Sequence, residues 1–178
     1  MTGLLKRYYF KQMFNPGIGG IFINPFYFAR KGLYKNISQL IAEVNGNILD
    51  VGCGQKPYLS SYNGEEYIGL EIDSEINRLS KKADFFYDGG KFPFDDRVFD
   101  NVICNQVLEH VFTPNEFLME INRVLQLDGS LILSVPFVWD EHEQPYDFAR
   151  YSSFGLTHLL KENGFGVIEF RKVNNGIE

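Results

Sequence analysis

The chain is poor in the residues that mark several common protein classes. It has two cysteines, Cys53 and Cys104, and three histidines in 178 residues, and these form no metal-ligand spacing. Reduced thiols and no bound metal are therefore expected. No apolar run approaches the roughly 20 residues of a membrane span, and the N-terminus lacks the continuous apolar stretch of a signal peptide. Together these absences predict a cytoplasmic protein. Positive charge is also scarce: the net charge is -6 and the pI near 5.1, which argues against a nucleic-acid partner, whose phosphates demand a basic footprint. Internal repeats and low-complexity tracts are missing too. What is abundant is aromatic: 17 Phe and 10 Tyr crowd the first 35 residues and the stretch from Phe85 to Phe99. Rings at that density fill a core or line a pocket.

The length suits one domain with helices on both faces of a sheet. Apolar runs at Asn47 to Val51, Tyr67 to Ile72, Phe99 to Asn105 and Ser130 to Pro136 are near-continuous, as in parallel strands buried on both faces. Asp84 to Tyr87 is a weaker strand, and Gly166 to Val173 would be the last. Helices are expected between them. Leu33 to Val44 gives one before the first strand. Thr113-Pro114-Asn115-Glu116 has the form of a capping box, after which Phe117, Leu118, Ile121, Val124 and Leu125 recur with helical spacing until Asp128-Gly129. Ser152 or Ser153 can cap another helix, with Leu156, Leu159 and Leu160 on one face and Gly164 past its end. Alternating strands and helices predict a Rossmann-like, doubly wound, mostly parallel α/β sheet, with ligands at the strands' carboxyl ends.

The first strand runs into Asp50-Val51-Gly52-Cys53-Gly54, a turn in which glycine lets the backbone approach a ligand. A dinucleotide fold asks for a third glycine where this chain has Pro57, which disfavours an NAD- or FAD-dependent oxidoreductase. S-adenosylmethionine has no phosphate and needs no such cradle, and Asp50 offers a carboxylate for its amino group, directly or through water. Glu71 ends the second strand about 20 residues beyond the turn, where a ribose diol is bound. Asp88 and Gly89 follow the third strand, Asn105 and Gln106 the next, and then come Glu109 and His110.

The successive segments ILDVGCG, YIGLEID, FYDGG, FPFDDRVFD, QVLEHV and LQLDGSLILSVP resemble the motifs of class I S-adenosylmethionine-dependent methyltransferases, of the type 11 subgroup, from about Ile48 to Phe165. The resemblance implies that Asp50, Gly52 and Gly54 hold the methionine end of the cofactor and Glu71 the ribose. It also implies that Asp88 and Gly89 meet the adenine, with Asn105 and Gln106 near the sulfonium. Two departures are visible: Lys56 stands where many members have a third glycine, and Glu71 is one methylene longer than the commoner Asp. The expected function is methyl transfer to oxygen of a small or glycan-like acceptor. The alternative is a degenerate module that binds S-adenosylmethionine for a partner protein without turnover.

The loop from Pro136 to Tyr151 should line the acceptor side, because it leaves the carboxyl edge of the sheet. Its aromatics beside carboxylates suit a hydroxylated acceptor, and PYDFARYS resembles methyltransferases of surface-glycan synthesis. His142 is the first candidate for a general base and His110 the second, since an imidazole titrates near neutrality. Residues 1–46 are expected to form an aromatic lid or packing element ahead of a methyltransferase domain at 47–178, with contact to a membrane surface as the lesser reading. Class I methyltransferases usually finish with two strands after the last helix. Here one candidate remains, with Asn175-Gly176 as a turn signal, so the sequence predicts a truncated chain lacking the final antiparallel strand. Self-association through the exposed sheet edge is the expected consequence.

Overall fold

A computed structural model describes Leu5, Tyr8, Tyr9, Gln12 and residues 16–80 and 82–173. Among the described residues five strands form one sheet: β1 (Asn47–Val51), β2 (Glu66–Ile72), β3 (Phe85–Tyr87), β4 (Phe99–Asn105) and β5 (Leu125–Ser134). The order is β3-β2-β1-β4-β5, and all four pairings are parallel. Parallel neighbours need crossovers: α2 (Glu75–Ser80) lies between β2 and β3 and α3 (Pro114–Val124) between β4 and β5, while α1 (Tyr27–Glu43) precedes β1 and α4 (Ser153–Glu162) follows β5. The order reverses direction between β1 and β4, so a ligand crevice is expected at their carboxyl ends.

Strand pleating divides the core in two. Leu49 and Val51 of β1 join Leu70, Val102 and Cys104 against Leu118 and Ile121 of α3 and Leu156 of α4. The opposite side chains, Ile48, Ile103 and Ile132, pack with Ile37 and Ile41 of α1. Burying an isoleucine is worth about 1.5 to 3 kcal/mol, so α1 is fixed to the sheet although its charged residues show no first-turn or last-turn pattern. It begins at Tyr27, six residues before the expected start.

Several expectations are corrected. Helix α3 stops at Val124, and the chain passes directly into β5 at Leu125. Leu125 fits the helical spacing, but it pairs with Phe99 of β4, and a register irregularity absorbs the mismatch between Phe99 and Asn101. Asp128-Gly129 therefore lies inside a strand and ends no helix. Thr113 occupies the N-cap position of α3 without a side-chain cap bond, so Pro114 at the first turn sets the start and the capping box does not form. Ser152 does cap α4, its Oγ accepting from the Gly155 amide at 3.2 Å. Gly164, at φ 84°, ends that helix, with the Phe165 amide donating to the Leu160 carbonyl.

Among the described residues the sheet ends on β5. Gly166 to Val173 joins no strand and is largely exposed, because a strand beside β5 needs a ladder of backbone bonds that this segment does not form. The Asn175-Gly176 turn and the cations Lys6, Arg7 and Lys11, on which the membrane-surface reading of the N-terminal segment rests, lie outside the described residues. No helix among the described residues is long and apolar enough to cross a membrane.

Candidate active site

Strand register brings the candidate cofactor residues into one row. Val51 stands opposite Leu70 on one side and Cys104 on the other, and Ile72 stands opposite Tyr87. Gly52, Glu71, Asp88 and Asn105 thus gather at the carboxyl ends of four adjacent strands. Gly52 has φ 70°, and a Cβ there would lie 2.4 Å from Val107 Cγ2, so both torsion and space require glycine. Gly54, at φ 49°, faces open space, with no atom within 4 Å of an added Cβ. The glycine turn is therefore held tightly at its first glycine and left accessible at its second.

Glu71 reaches back over that turn. Its Oε2 accepts from the Gly54 amide at 3.0 Å and its Oε1 from the Ile72 amide at 3.2 Å. Burial raises its pKa, the two amides lower it, and the Glu143 carboxylate on the loop from Pro136 to Tyr151 raises it further. An accessible turn beside an anchored carboxylate fits the methionine and ribose portions of S-adenosylmethionine. Asp88 is exposed and its Oδ1 accepts from the Gly90 amide at 3.0 Å, which closes a turn with Gly89 at φ 95°.

Asp50 is buried, with its Oδ2 accepting from the Tyr67 hydroxyl at 2.6 Å. Burial is the main cause that pushes its pKa up to about 7, with the Tyr67 bond opposing it. Tyr67 was not among the residues picked from the sequence. Its signal is register: Tyr67 pairs with Ile48 and Gly69 with Asp50, so Tyr67 and Asp50 share a sheet face. Tyr58 escapes the sequence reading as well. It is buried, it stacks on Tyr34 at 5.6 Å, and its hydroxyl lies near the Asn105 side chain. Lys56, in place of a third glycine, pairs with Asp84, whose Oδ2 also accepts from the Gly69 amide at 2.7 Å. That departure has become a tie between the turn and β2.

Asn105 and Gln106 are engaged by the neighbouring strand. The Ser134 hydroxyl donates to Asn105 Oδ1 at 2.6 Å, and the Gln106 amide donates to the Ser134 carbonyl at 3.0 Å. Gln106 has φ 56°, a strained torsion of the kind that clusters at ligand sites.

The two histidines far apart in sequence are neighbours. His110, in the 3-10 turn Leu108–His110 after β4, meets His142 edge to face with ring centroids 4.8 Å apart. The loop is pinned from both ends. Glu109 accepts the Phe148 amide at its carbonyl at 2.8 Å, and Arg150 grips Asp147 with an Nη2 to Oδ2 distance of 2.7 Å. That guanidinium holds the Asp147 carboxyl well below the usual range. Trp139 of the same loop packs on Phe26 at 4.3 Å, with Arg30 over its ring at 5.9 Å. Two shallow depressions are lined by Phe154 and His158 and by Lys31 and Tyr34.

The comparisons with known proteins agree with this geometry. Residues 49–133 match the family described as a methyltransferase domain. An O-methyltransferase of Aspergillus sclerotiorum is 26% identical, over 79% of this chain and 62% of that one. A Bacillus subtilis protein, named as a candidate 23S rRNA (guanine-N(1)-)-methyltransferase, is 31% identical over 58% of this chain and 40% of its own length. Among solved structures, an S-adenosylmethionine-dependent methyltransferase from Aquifex aeolicus superposes with a TM-score of 0.57 at 22% identity, over 79% of this chain and 83% of that one. This chain covers 64%, 40% and 50% of the first three curated relatives. With the sheet order and the glycine turn, these matches make the chain similar to the class I S-adenosylmethionine-dependent methyltransferases. The cofactor of that class is S-adenosyl-L-methionine.

Proposed function

We propose that the chain transfers the methyl group of S-adenosylmethionine to an oxygen of a small, hydroxylated, glycan-like acceptor. The cofactor supplies a methyl carbon already activated by its sulfonium, so the residues here mainly align, exclude water and handle one proton. Asp50, Gly52 and Gly54 receive the methionine end, Glu71 the ribose, and Asp88 with Gly89 the adenine. Asn105 and Gln106, braced by Ser134, sit on the sulfonium side.

The observation that carries the oxygen assignment is the His110–His142 pair beside the acceptor loop. A hydroxyl must lose its proton as it attacks, and paired imidazoles anchored through one ring nitrogen leave the other free to act on it. The name of the Aspergillus relative agrees with oxygen, whereas the Bacillus relative is named for a ring nitrogen of RNA, a partner that a net charge of -6 disfavours. The test is product analysis by mass spectrometry after incubation with a panel of phenols and sugars. An O-methylated product is expected, with turnover in His142→Ala lower by about 100-fold or more. Turnover unchanged by that substitution would remove the pair from the mechanism.

A further inference from the structure

Glu109 is fully buried in the turn after β4, yet among the described residues neither of its carboxylate oxygens has a hydrogen-bond partner. Buried carboxylates are ordinarily paired, bonded or bound to metal, so an orphan of this kind points to a missing ligand. The two neighbouring imidazoles show what that ligand is. His110 Nδ1 lies 2.7 Å from the Tyr146 carbonyl oxygen, which can only accept. A proton on Nδ1 donates to it, and in the neutral ring that leaves the Nε2 lone pair for a ligand. His142 is fixed in the same way, its Nδ1 lying 3.2 Å from Asp147 Oδ2 and 3.2 Å from the Asp140 carbonyl oxygen. Arg150 clamps Asp147 in a salt bridge and the His142 backbone amide donates to its Oδ2 at 2.9 Å, so its oxygens sit among donors.

Glu109, His110 and His142 each offer one ligand atom, and these lie within 4.8 Å of one another, with His110 Nε2 at 3.9 Å from Glu109 Oε1. Ligand atoms at about 2.0–2.2 Å from a zinc ion stand somewhat closer together than this, so loading requires closure of roughly 1 Å. His142 can provide it, since its side chain is 30% exposed on an irregular loop.

We propose that Glu109, His110 and His142 form a zinc-class divalent cation site at the acceptor end of the sheet, with Asp147 and the Tyr146 carbonyl orienting the two imidazoles. A carboxylate or carbonyl behind each metal-binding imidazole is the arrangement that fixes its tautomer and raises its basicity. Three protein ligands leave a fourth position open, as in zinc sites that act on a substrate. The site's role rests on the oxygen reading above, although its existence does not. The acceptor hydroxyl takes the open position, and the cation lowers its pKa so that its proton leaves to solvent. The oxygen then bonds to the methyl carbon as the carbon–sulfur bond breaks. That electron pair stays on sulfur, giving a methyl ether and S-adenosylhomocysteine. His110 and His142 thus act on the hydroxyl through the cation they hold.

The test is titration of the tag-free, chelator-treated full chain with Zn2+ by calorimetry and with Co2+ by visible absorption, without cofactor or acceptor. One ion per chain is expected, with Co2+ giving the d–d bands of mixed nitrogen and oxygen ligation. Glu109→Gln and His142→Ala should each weaken binding at least 100-fold, and Asp147→Asn by about 10 to 100-fold. Unaltered affinity for S-adenosylmethionine in His142→Ala, a change on the half-exposed loop, certifies its fold. Absence of saturable binding of either ion, or identical binding by folded His142→Ala, overturns the site and leaves the oxygen reading standing. One-to-one binding lost in the variants, together with methylation on nitrogen only, upholds the site and refutes the oxygen reading.

Discussion

The two sides of the sheet's carboxyl edge are built by different means. On the cofactor side, β1, β2 and β3 deliver Gly52, Gly54, Glu71 and Asp88 through register, and backbone amides of Gly54 and Ile72 hold the Glu71 carboxylate. On the proposed acceptor side, an irregular loop is held mainly by side chains: Arg150 on Asp147, Asp147 on His142, and Trp139 on Phe26, besides the Phe148 amide on the Glu109 carbonyl. Register couples the first side to the whole core. The second depends on a few polar ties at the surface, and such a loop can change its chemistry without disturbing the fold.

The contrast is broken most severely at Gly52. Alanine there must hold φ near 70° and displace Val107, whose Cγ2 lies 2.4 Å from the new Cβ. The combined cost of about 2 kcal/mol or more should weaken S-adenosylmethionine binding at least ~30-fold in a calorimetric titration. Affinity within a few-fold of wild type would show that the turn tolerates a side chain and that Val107 yields freely.

Next in size is Glu71→Ala. Charge-assisted hydrogen bonds contribute about 1.5 to 3 kcal/mol each, so affinity should fall at least tenfold. Unchanged affinity in a folded variant means that Glu71 only ties the turn to β2.

Proton linkage sharpens the same side. With its pKa raised to about 7, the Asp50 carboxyl is favoured as the neutral acid in the folded protein. Its stabilising effect is full below the ordinary value of 3.8 and is lost as the pH rises through about 7. A bound ammonium group reverses the preference, because it needs the carboxylate. Cofactor affinity should therefore be about tenfold weaker at pH 6 than at pH 8, with proton uptake or release visible when calorimetry is repeated in buffers of different ionisation heat. A flat profile with no proton exchanged would take Asp50 away from the amino group.

The smallest effect on the cofactor is expected from Arg150→Met. It removes the clamp on Asp147, so amide hydrogen exchange across residues 139–147 should quicken while S-adenosylmethionine affinity stays within about twofold. Exchange unaltered in that loop would mean that the Trp139 contact alone holds it.

How much of this could be read beforehand follows the same division. The extents of β1 and β4 coincide with the apolar runs, and Glu71 and the glycine turn fall where the strand ends put them, since buried parallel strands leave a continuous signal. The start of β5 was hidden because Leu125 satisfies the spacing of α3 and also pairs with Phe99; tertiary pairing decided between them. Thr113 has the right identity for a cap but lacks the bond, and side-chain orientation is not written in residue type. Tyr67 and Tyr58 read as two aromatics among many, and only register and packing set them beside Asp50 and Asn105. Glu109 is the hardest case. Its local sequence reads as the end of a motif, whereas its isolation comes from a loop more than 30 residues further on folding over it.

The ring contact between Phe26 and Trp139 makes the acceptor loop a composite object, assembled from two stretches of chain more than 100 residues apart. Swapping residues 136–151 for the corresponding loop of a relative would strand Phe26 and Arg30 against a foreign surface. The unit that can be exchanged between family members is therefore larger than the loop itself. Redesign of this loop has to transplant the leading edge of α1 together with it, and divergence at one of these positions should be accompanied by change at the other.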